Sequence, residues 1–269
     1  MRADLHIHSV SSDGLLLPSD IVGAAVTARV GLIAVTDHDG MQSCAPLKKI
    51  AASAGIRAVN GIEVSAYVGD IKFHVLGYGL DEAEMTPFLK DLYEASLERA
   101  EEILQKFAAI GKPLTMEEVN EKRYSLTTPV HSVHIARAMI SKGYVKDVPE
   151  FFRRYAGKGN PAYSPIGRPS PLKAVREITA AGGFVSVAHP GRIRMERDEL
   201  AGVLKSLKGE GLGGIEAYYT THTVEETEYY KNLAAELSML VTGGSDTHTF
   251  GAGREIGSPV FHAGDELLE

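Results

Sequence analysis

Among its 269 residues the chain has a single cysteine, Cys44, and no tryptophan. A lone thiol excludes an internal disulfide framework and predicts a reducing compartment. No run of Lys or Arg stands out and the net charge is -7, which argues against broad electrostatic capture of duplex DNA. No apolar stretch reaches transmembrane length, and no signal-peptide pattern precedes the first strand-like run. The expectation is a cytoplasmic globular protein with neither a membrane nor duplex DNA as partner. A small anionic substrate stays open, because bound cations reverse the local sign. Hydrophobic residues make up 44% of the chain, enough for a sizeable core in one large domain or a domain carrying an insertion.

The first eighty residues read as alternating strands and helices. Strands are predicted at Ala3–Ser9, Leu32–Val35, Ile56–Val59 and Ile71–Leu76, and helices at Pro18–Arg29 and Pro46–Ala54. Such alternation with short connections predicts a parallel sheet or barrel. From about Asp81 to Lys158 strand signals vanish and helical ones take over, at Glu84–Ile110, Met116–Glu121 and Val130–Ser141. This stretch is expected to be a helical insertion or lid, the alternative being part of the barrel wall. Strands return at Phe184–Ala188, Gly214–Tyr218 and Met239–Thr242, between helices at Pro171–Ala181, Asp198–Gly209 and Val224–Leu237.

What the chain does have is histidine beside carboxylates where apolar runs end. Asp4-Leu5-His6-Ile7-His8, Thr36-Asp37-His38-Asp39 and Gly244-Ser245-Asp246-Thr247-His248 carry most of it, with Asp13, Glu63, His74 and His189 in shorter segments. Each alone has an ordinary reading: a turn aspartate, a solvated carboxylate, a core histidine. Together in one α/β chain they predict a metal site, because imidazole and carboxylate donors suit Zn, Mn or Fe better than Ca or Mg. His38, Glu63, His189 and Asp246 are expected just beyond the C-terminal ends of strands, where parallel α/β barrels build their sites. His6 and His8, two apart on a strand, should face one ion together.

In this order the segments Asp4–Ser9, Ser12-Asp13-Gly14, Thr36–Asp39, Gly61–Ser65, His74–Tyr78, Ala188–Gly191 and Gly244–His248 resemble the PHP (polymerase and histidinol phosphatase) superfamily. The resemblance is closest to its stand-alone bacterial phosphoesterases acting on nucleotides, which include a 3′,5′-nucleotide bisphosphatase and a 5′-to-3′ exoribonuclease. It spans roughly residues 3 to 260. It implies an α/β fold, a distorted seven-stranded (β/α) barrel over 1–80 and 159–269, with a small helical insertion at 81–158. It also implies two or three divalent metal ions, Mn, Zn or Fe. His6, His8, Glu63 and Asp246 would hold one ion. Glu63 would bridge to a second held by His74 and His189, which its two oxygens permit. Asp13, His38 and His248 would hold a third.

Relatives usually carry Arg-Pro-His or Arg-Thr-His at the start of a helix in the insertion. Here Val130-His131-Ser132-Val133-His134 keeps the final histidine, puts Ser132 in place of the arginine, and offers His131 as a substitute. His134, Lys158 and Arg192 are the expected substrate-binding residues. Asp4, Asp37, Asp39 and Glu216 are expected to orient ligand histidines, while His222 and His262 belong to no motif. The implied activity is hydrolysis of nucleotide phosphomonoesters, AMP or 3′,5′-bisphosphates, with short RNA 5′ ends as a further substrate. Alternatives are histidinol-phosphate phosphatase and a non-catalytic module. The eleven-residue spacing of Glu63 and His74 and the helical stretch favour the first reading, and the full ligand set weighs against the last.

Overall fold

The structure is a computed structural model and describes residues 1–264. One sheet contains eight strands: β1 (Arg2–Ile7), β2 (Leu32–Val35), β3 (Arg57–Val68), β4 (Ile71–Tyr78), β5 (Phe184–Val187), β6 (Leu212–Tyr219), β7 (Leu240–Gly244) and β8 (Phe261–His262). Their order is β7-β6-β5-β4-β3-β2-β1-β8. β1, β2 and β3 run parallel, as do β5, β6 and β7. β4 is antiparallel to both of its neighbours, and β8 is antiparallel to β1. The segment after β7 returns to β1, where Asp246 N–H donates to the His6 carbonyl at 2.7 Å and His8 N–H to the Thr247 carbonyl at 2.9 Å. The sheet is thus a nearly closed barrel.

Two expectations are corrected here. The sheet has eight strands rather than seven, because the short Phe261–His262 pair adds itself to the outer edge of β1. The parallel alternation also fails at β3 and β4, which form a hairpin around Gly69-Asp70. Gly69 occupies the first turn position with φ +55°, a conformation glycine adopts without strain. β3 accordingly continues nine residues past the expected end at Val59. Its continuation alternates, with Ile62, Val64 and Ala66 in the apolar core and Glu63, Ser65 and Tyr67 on the opposite face.

Helices cover the outside of the barrel: α1 (Pro18–Thr27), α2 (Cys44–Ser53), α7 (Pro171–Ala180), α8 (Arg197–Lys208) and α9 (Val224–Glu236). Ile21, Leu47, Val175, Ile178, Leu204 and Leu233 bring their apolar stripes onto Ile33, Val64, Phe73, Val75, Val187 and Ile215 of the strands. A smaller cluster of Ala3, Leu5, Leu32, Ala34, Leu76, Tyr78 and Ala188 comes almost wholly from strands and plugs the barrel.

Between β4 and β5 the described chain is helical: α3 (Glu82–Ala109), α4 (Met116–Asn120), α5 (Ser132–Ser141) and α6 (Val148–Phe151) precede α7. α3 belongs to two cores. Met85, Phe88 and Leu92 join the barrel's outer layer. Ile103 and Phe107 pack with Val119, Ile135, Met139, Phe151, Tyr155 and Ala162 in a separate cluster. α3 thus contributes its first half to the barrel core and its second half to the separate cluster.

The closing seam leaves no room at Gly244, where an added Cβ would overlap the His6 Cβ and stand 2.5 Å from its amide nitrogen. Gly244→Ala is predicted to cost roughly 1–3 kcal/mol, the usual range for overpacking, and to lower metal retention with it. A thermal unfolding midpoint equal to that of the unsubstituted protein would contradict this account of the seam.

Candidate metal centre

Glu63 is the hub of the site. Its two oxygens lie 2.7 Å from His74 Nδ1, 3.0 Å from His189 Nε2, 3.0 Å from His38 Nδ1, 3.1 Å from His8 Nε2 and 3.3 Å from His6 Nε2. It does not follow a strand end, as its sequence context implied, but sits within β3. There the main chain fixes it: Glu63 N–H donates to the Asp37 carbonyl and Asp39 N–H to the Glu63 carbonyl. β3 thus carries Glu63, and the loop after β2 carries His38, locked to it. The hairpin partner β4 sets His74 opposite Ser65, one step along the same face as Glu63.

The seam places the rest. A register shift in β1 between Asp4 and Ile7 separates Ala3 and Leu5, which plug the barrel, from His6 and His8, which turn to the site. Asp246 Oδ1 lies 3.6 Å from His6 Nε2 and 3.2 Å from His8 Nε2. His248 Nε2 lies 3.2 Å from Asp13 Oδ1, and Asp13 Oδ2 lies 3.8 Å from His38 Nε2. All nine sequence-predicted ligands therefore gather in one place. Four sets have donor atoms within 4.8 Å of one another: His8, Asp13, His38 and His248; His6, Glu63 and His189; His6, His8 and Asp246; His38, Glu63 and His74.

The donors fit bound cations. His6 Nε2, His8 Nε2, His38 Nδ1, His74 Nε2, His189 Nδ1 and Glu63 Oε2 are buried without a hydrogen-bond partner, an arrangement proteins otherwise avoid. Burial pushes the His74 imidazole down to about 3 and His38 well below its ordinary value, so both present lone pairs. Glu63 is held well below the usual carboxylate range: burial opposes this, and the imidazoles of His74, His38 and His6 overcome it. Burial likewise opposes protonation of His6 and His8. For His6 it is outweighed by Glu216, Glu63 and Asp246, raising it well above its ordinary value, and for His8 by Asp246 and Glu63, raising it to about 10. His189 and Asp246 have φ of +28° and +54°, a backbone cost that recurs at functional sites.

The supporting residues are only partly those expected. Glu216 does orient ligands: Oε1 accepts from His6 Nδ1 at 2.9 Å and Oε2 from His189 N–H at 2.6 Å. Asp4, Asp37 and Asp39 bond no imidazole. They accept main-chain and hydroxyl hydrogens instead: Asp4 from Ser245 and Gly257, Asp37 from Ser9 and Ser12, Asp39 from Ser65. They hold the ligand-bearing loops rather than the rings. His222, which belongs to no motif, braces the turn after His189 by accepting from Gly191 N–H.

Sequence reasoning missed Tyr219 and Arg254. Tyr219 donates to Asp246 Oδ2 at 2.7 Å, and Arg254 Nη1 contacts the same oxygen. Neither stands in a histidine-bearing segment, so only the fold reveals them. Of the expected substrate-binding residues, Arg192 reaches the site: its Nη1 donates to the Tyr219 hydroxyl at 2.8 Å and lies 3.7 Å from Asp246 Oδ2. His134 has both ring nitrogens occupied: Nε2 donates to the Ser12 carbonyl at 2.9 Å and Nδ1 accepts from His131 N–H at 3.1 Å. With Arg137, which donates to the Asp13 carbonyl, it braces the Asp13 loop. His131 stands with its ring centroid 5.9 Å from that of His38, and its Nε2 is buried and unpartnered. Lys158 is not brought to the histidines and pairs with Asp70 at 2.7 Å on the surface.

The PHP domain model matches residues 4–239, and the chain belongs to this family. It is 33% identical over 262 residues to a 3′,5′-nucleoside bisphosphate phosphatase of Chromobacterium violaceum, covering 94% of this chain and 90% of that protein. It is 30% identical to a phosphoribosyl 1,2-cyclic phosphate 1,2-diphosphodiesterase of Eggerthella lenta, covering 97% and 99%. Its structure is similar to that of a Bifidobacterium adolescentis protein assigned as a metal-dependent phosphoesterase, with a TM-score of 0.87 and 26% identity over 99% of this chain and 93% of that one. Family and site together make the chain a metal-dependent phosphoesterase. No helix among the described residues is long and apolar enough to cross a membrane.

Three outcomes follow from this geometry. His6 and His8 are raised, so the metal-free protein carries their protons at neutral pH, and a cation must displace them. Metal affinity should therefore rise with pH, about tenfold per unit for each displaced proton. Calorimetry in buffers of different ionisation enthalpy would read the release, and a pH-independent affinity would contradict it. Glu63→Gln should lose more bound metal and more kcat/KM than His248→Ala, because Glu63 touches five imidazoles and His248 sits at one end. Glu216→Gln should lose roughly 10–100-fold, as partners of ligand histidines do. Equal metal content and kcat/KM for the Glu63 and His248 variants would overturn the ranking.

Proposed function

We propose that the chain hydrolyses phosphate esters of ribose compounds bearing a second phosphate, nucleoside 3′,5′-bisphosphates foremost. The observation that carries this reading is the gathering of nine buried or half-buried donor residues, Glu63 at their hub, with cationic side chains beside them. The two named relatives support it, since both of their substrate names describe a ribose unit carrying two phosphates.

Two or three divalent ions would be held by the four donor sets, with Glu63 shared between sets. Bound there, they would supply a Lewis acid for the phosphoryl oxygens and lower the pKa of water. The protein's own part is positioning. Glu216 keeps His6 and His189 aimed at Glu63, while Tyr219 and Arg254 hold Asp246 by its outer oxygen. Arg192, half exposed beside them, is placed to meet a phosphate oxygen arriving from solvent. His131, neutral because burial holds it well below its ordinary value, offers a neutral hydrogen-bonding group beside Ser132, the position expected to carry an arginine. The helical unit acts as a wall of the cleft and takes part in substrate choice, tied to the metal side through His134 and Arg137.

A second reading, opening of a cyclic phosphodiester on a phosphorylated ribose, is favoured by the near-complete match to the diphosphodiesterase, 99% of that protein's length. Phosphate release and ring opening, measured with added Mn²⁺, separate the two. The panel is AMP, adenosine 3′,5′-bisphosphate, histidinol phosphate, short 5′-phosphorylated RNA and a ribose 1,2-cyclic phosphate carrying a 5-phosphate. The bisphosphate should show the highest kcat/KM, by about tenfold or more over AMP, a discrimination equivalent to about 1.4 kcal/mol. A preference for histidinol phosphate, or no turnover of any compound, would overturn the proposal.

A further inference from the structure

Among the described residues, one group of cations near the metal centre makes no ion pair. Lys72 lies on β4 two residues before His74, so both point to the same face, roughly 6–7 Å apart along the strand. The residue opposite Lys72 on β3 is Tyr67, as Ser65 is opposite His74. Arg168 lies over the Tyr67 ring, 4.5 Å from its centroid, where a neighbouring main-chain bond from Tyr67 N–H to the Pro169 carbonyl fixes the strand to this loop. Arg99 comes in from α3, buried, and donates to the Ile166 carbonyl at 3.2 Å.

These three charges share one neighbourhood: Arg99, Arg168 and Lys72 all act electrostatically on Asp39. Among the described residues none of them makes an ion pair. Asp39, with one oxygen engaged by Ser65 N–H at 2.7 Å, faces all three, and Glu63 and Asp13 act on Lys72 from the metal side without pairing with it. Two polar atoms here are buried without a hydrogen-bond partner, Arg168 Nε and the Tyr163 hydroxyl. Tyr163 acts electrostatically on Tyr67, which puts it in the same corner. Burial and the charge of Arg168 bring the Arg99 guanidinium down to about 10. Like charges gathered without an ion pair cost free energy, and unpartnered buried donors add to it. An anion bound among them would offset both.

We propose that Lys72, Arg99 and Arg168, with the Tyr163 hydroxyl, form an anion subsite that takes the second, non-reacting phosphate of the substrate. This assignment rests on the function proposed above and gives the second phosphate its place, along the β3–β4 hairpin outward from His74. Lys158, paired with Asp70 at the hairpin turn, lies at the outer end of the same hairpin and is not one of the three unpaired cations. Arg99 and Arg168 flank the hairpin from α3 and from the chain leading into α7. The subsite is therefore shared between barrel and helical unit, although no single segment of the sequence contains it.

The test uses Lys72→Met and Arg168→Met, with Lys72→Arg as the charge-keeping control, in the metal-loaded full-length protein. For adenosine 3′,5′-bisphosphate, kcat/KM should fall at least tenfold in each Met variant, carried mainly by KM. For p-nitrophenyl phosphate, which lacks a second phosphate, it should stay within about twofold, and Lys72→Arg should recover most of the bisphosphate activity. An equal loss on both substrates, or no loss on either, would overturn the subsite. A second measurement is independent of turnover: calorimetric binding of adenosine 3′,5′-bisphosphate to chelator-treated protein, which should weaken at least fivefold in Arg168→Met. Unchanged affinity, or no binding by the unsubstituted protein, would also overturn the subsite. Loss of binding in Arg168→Met from a protein that turns over neither substrate would keep the subsite and discard the function.

Discussion

A single buried carboxylate, Glu63, organises this molecule. Five imidazoles lie within 3.3 Å of its oxygens, and they come from β1 and β4 and from the segments just after β1, β2 and β5. An arrangement with so many unpartnered ring nitrogens is unfavourable unless something other than protein completes it. Bound cations do so, which couples metal affinity to the stability of the barrel. The apolar plug beneath, and the helices outside it, keep these donors together without collapsing onto one another.

The barrel's closure and its chemistry are one feature. The hydrogen bonds joining the end of β7 to β1 run between the main chains of Asp246, Thr247, His6 and His8, three of which are candidate ligands. A defect in the seam is therefore a defect in the site. The antiparallel β4 serves a related purpose. By reversing direction around Gly69-Asp70 it brings His74 back alongside Glu63, and it extends a polar face beyond the barrel on which Tyr67 and Lys72 sit opposite each other.

The helical unit has its own apolar cluster yet is not independent of the site. α3 threads both cores, and α5 sends His134 and Arg137 to the carbonyls of Ser12 and Asp13. A histidine at the start of that helix looks like a substrate contact when only the sequence is read. In the fold it braces the Asp13 loop, while the neighbouring His131 keeps the free nitrogen. Arg99, buried in the middle of α3, donates to the Ile166 carbonyl, in a stretch whose sequence reads only as charged helix.

The candidate ligands were legible in the sequence because metal chemistry demands particular side chains. His6, His8, Asp13, His38, Glu63, His74, His189, Asp246 and His248 are distinctive as types and in their order, and the fold gathers all nine. The α/β class followed from periodicity in the same way. Strand direction, strand count and the partners of Asp4, Asp37 and Asp39 did not, because these depend on which main-chain groups meet across long separations. A two-residue Gly69-Asp70 turn reverses a strand with almost no compositional signal, and two residues at Phe261–His262 suffice to add another. Tyr219, Arg254, Lys72, Arg99 and Arg168 are ordinary residues in ordinary surroundings along the chain. Tertiary structure alone decides that the first two hold Asp246 and that the last three stand together without an ion pair, since electrostatics acts on distance in space rather than on position in sequence.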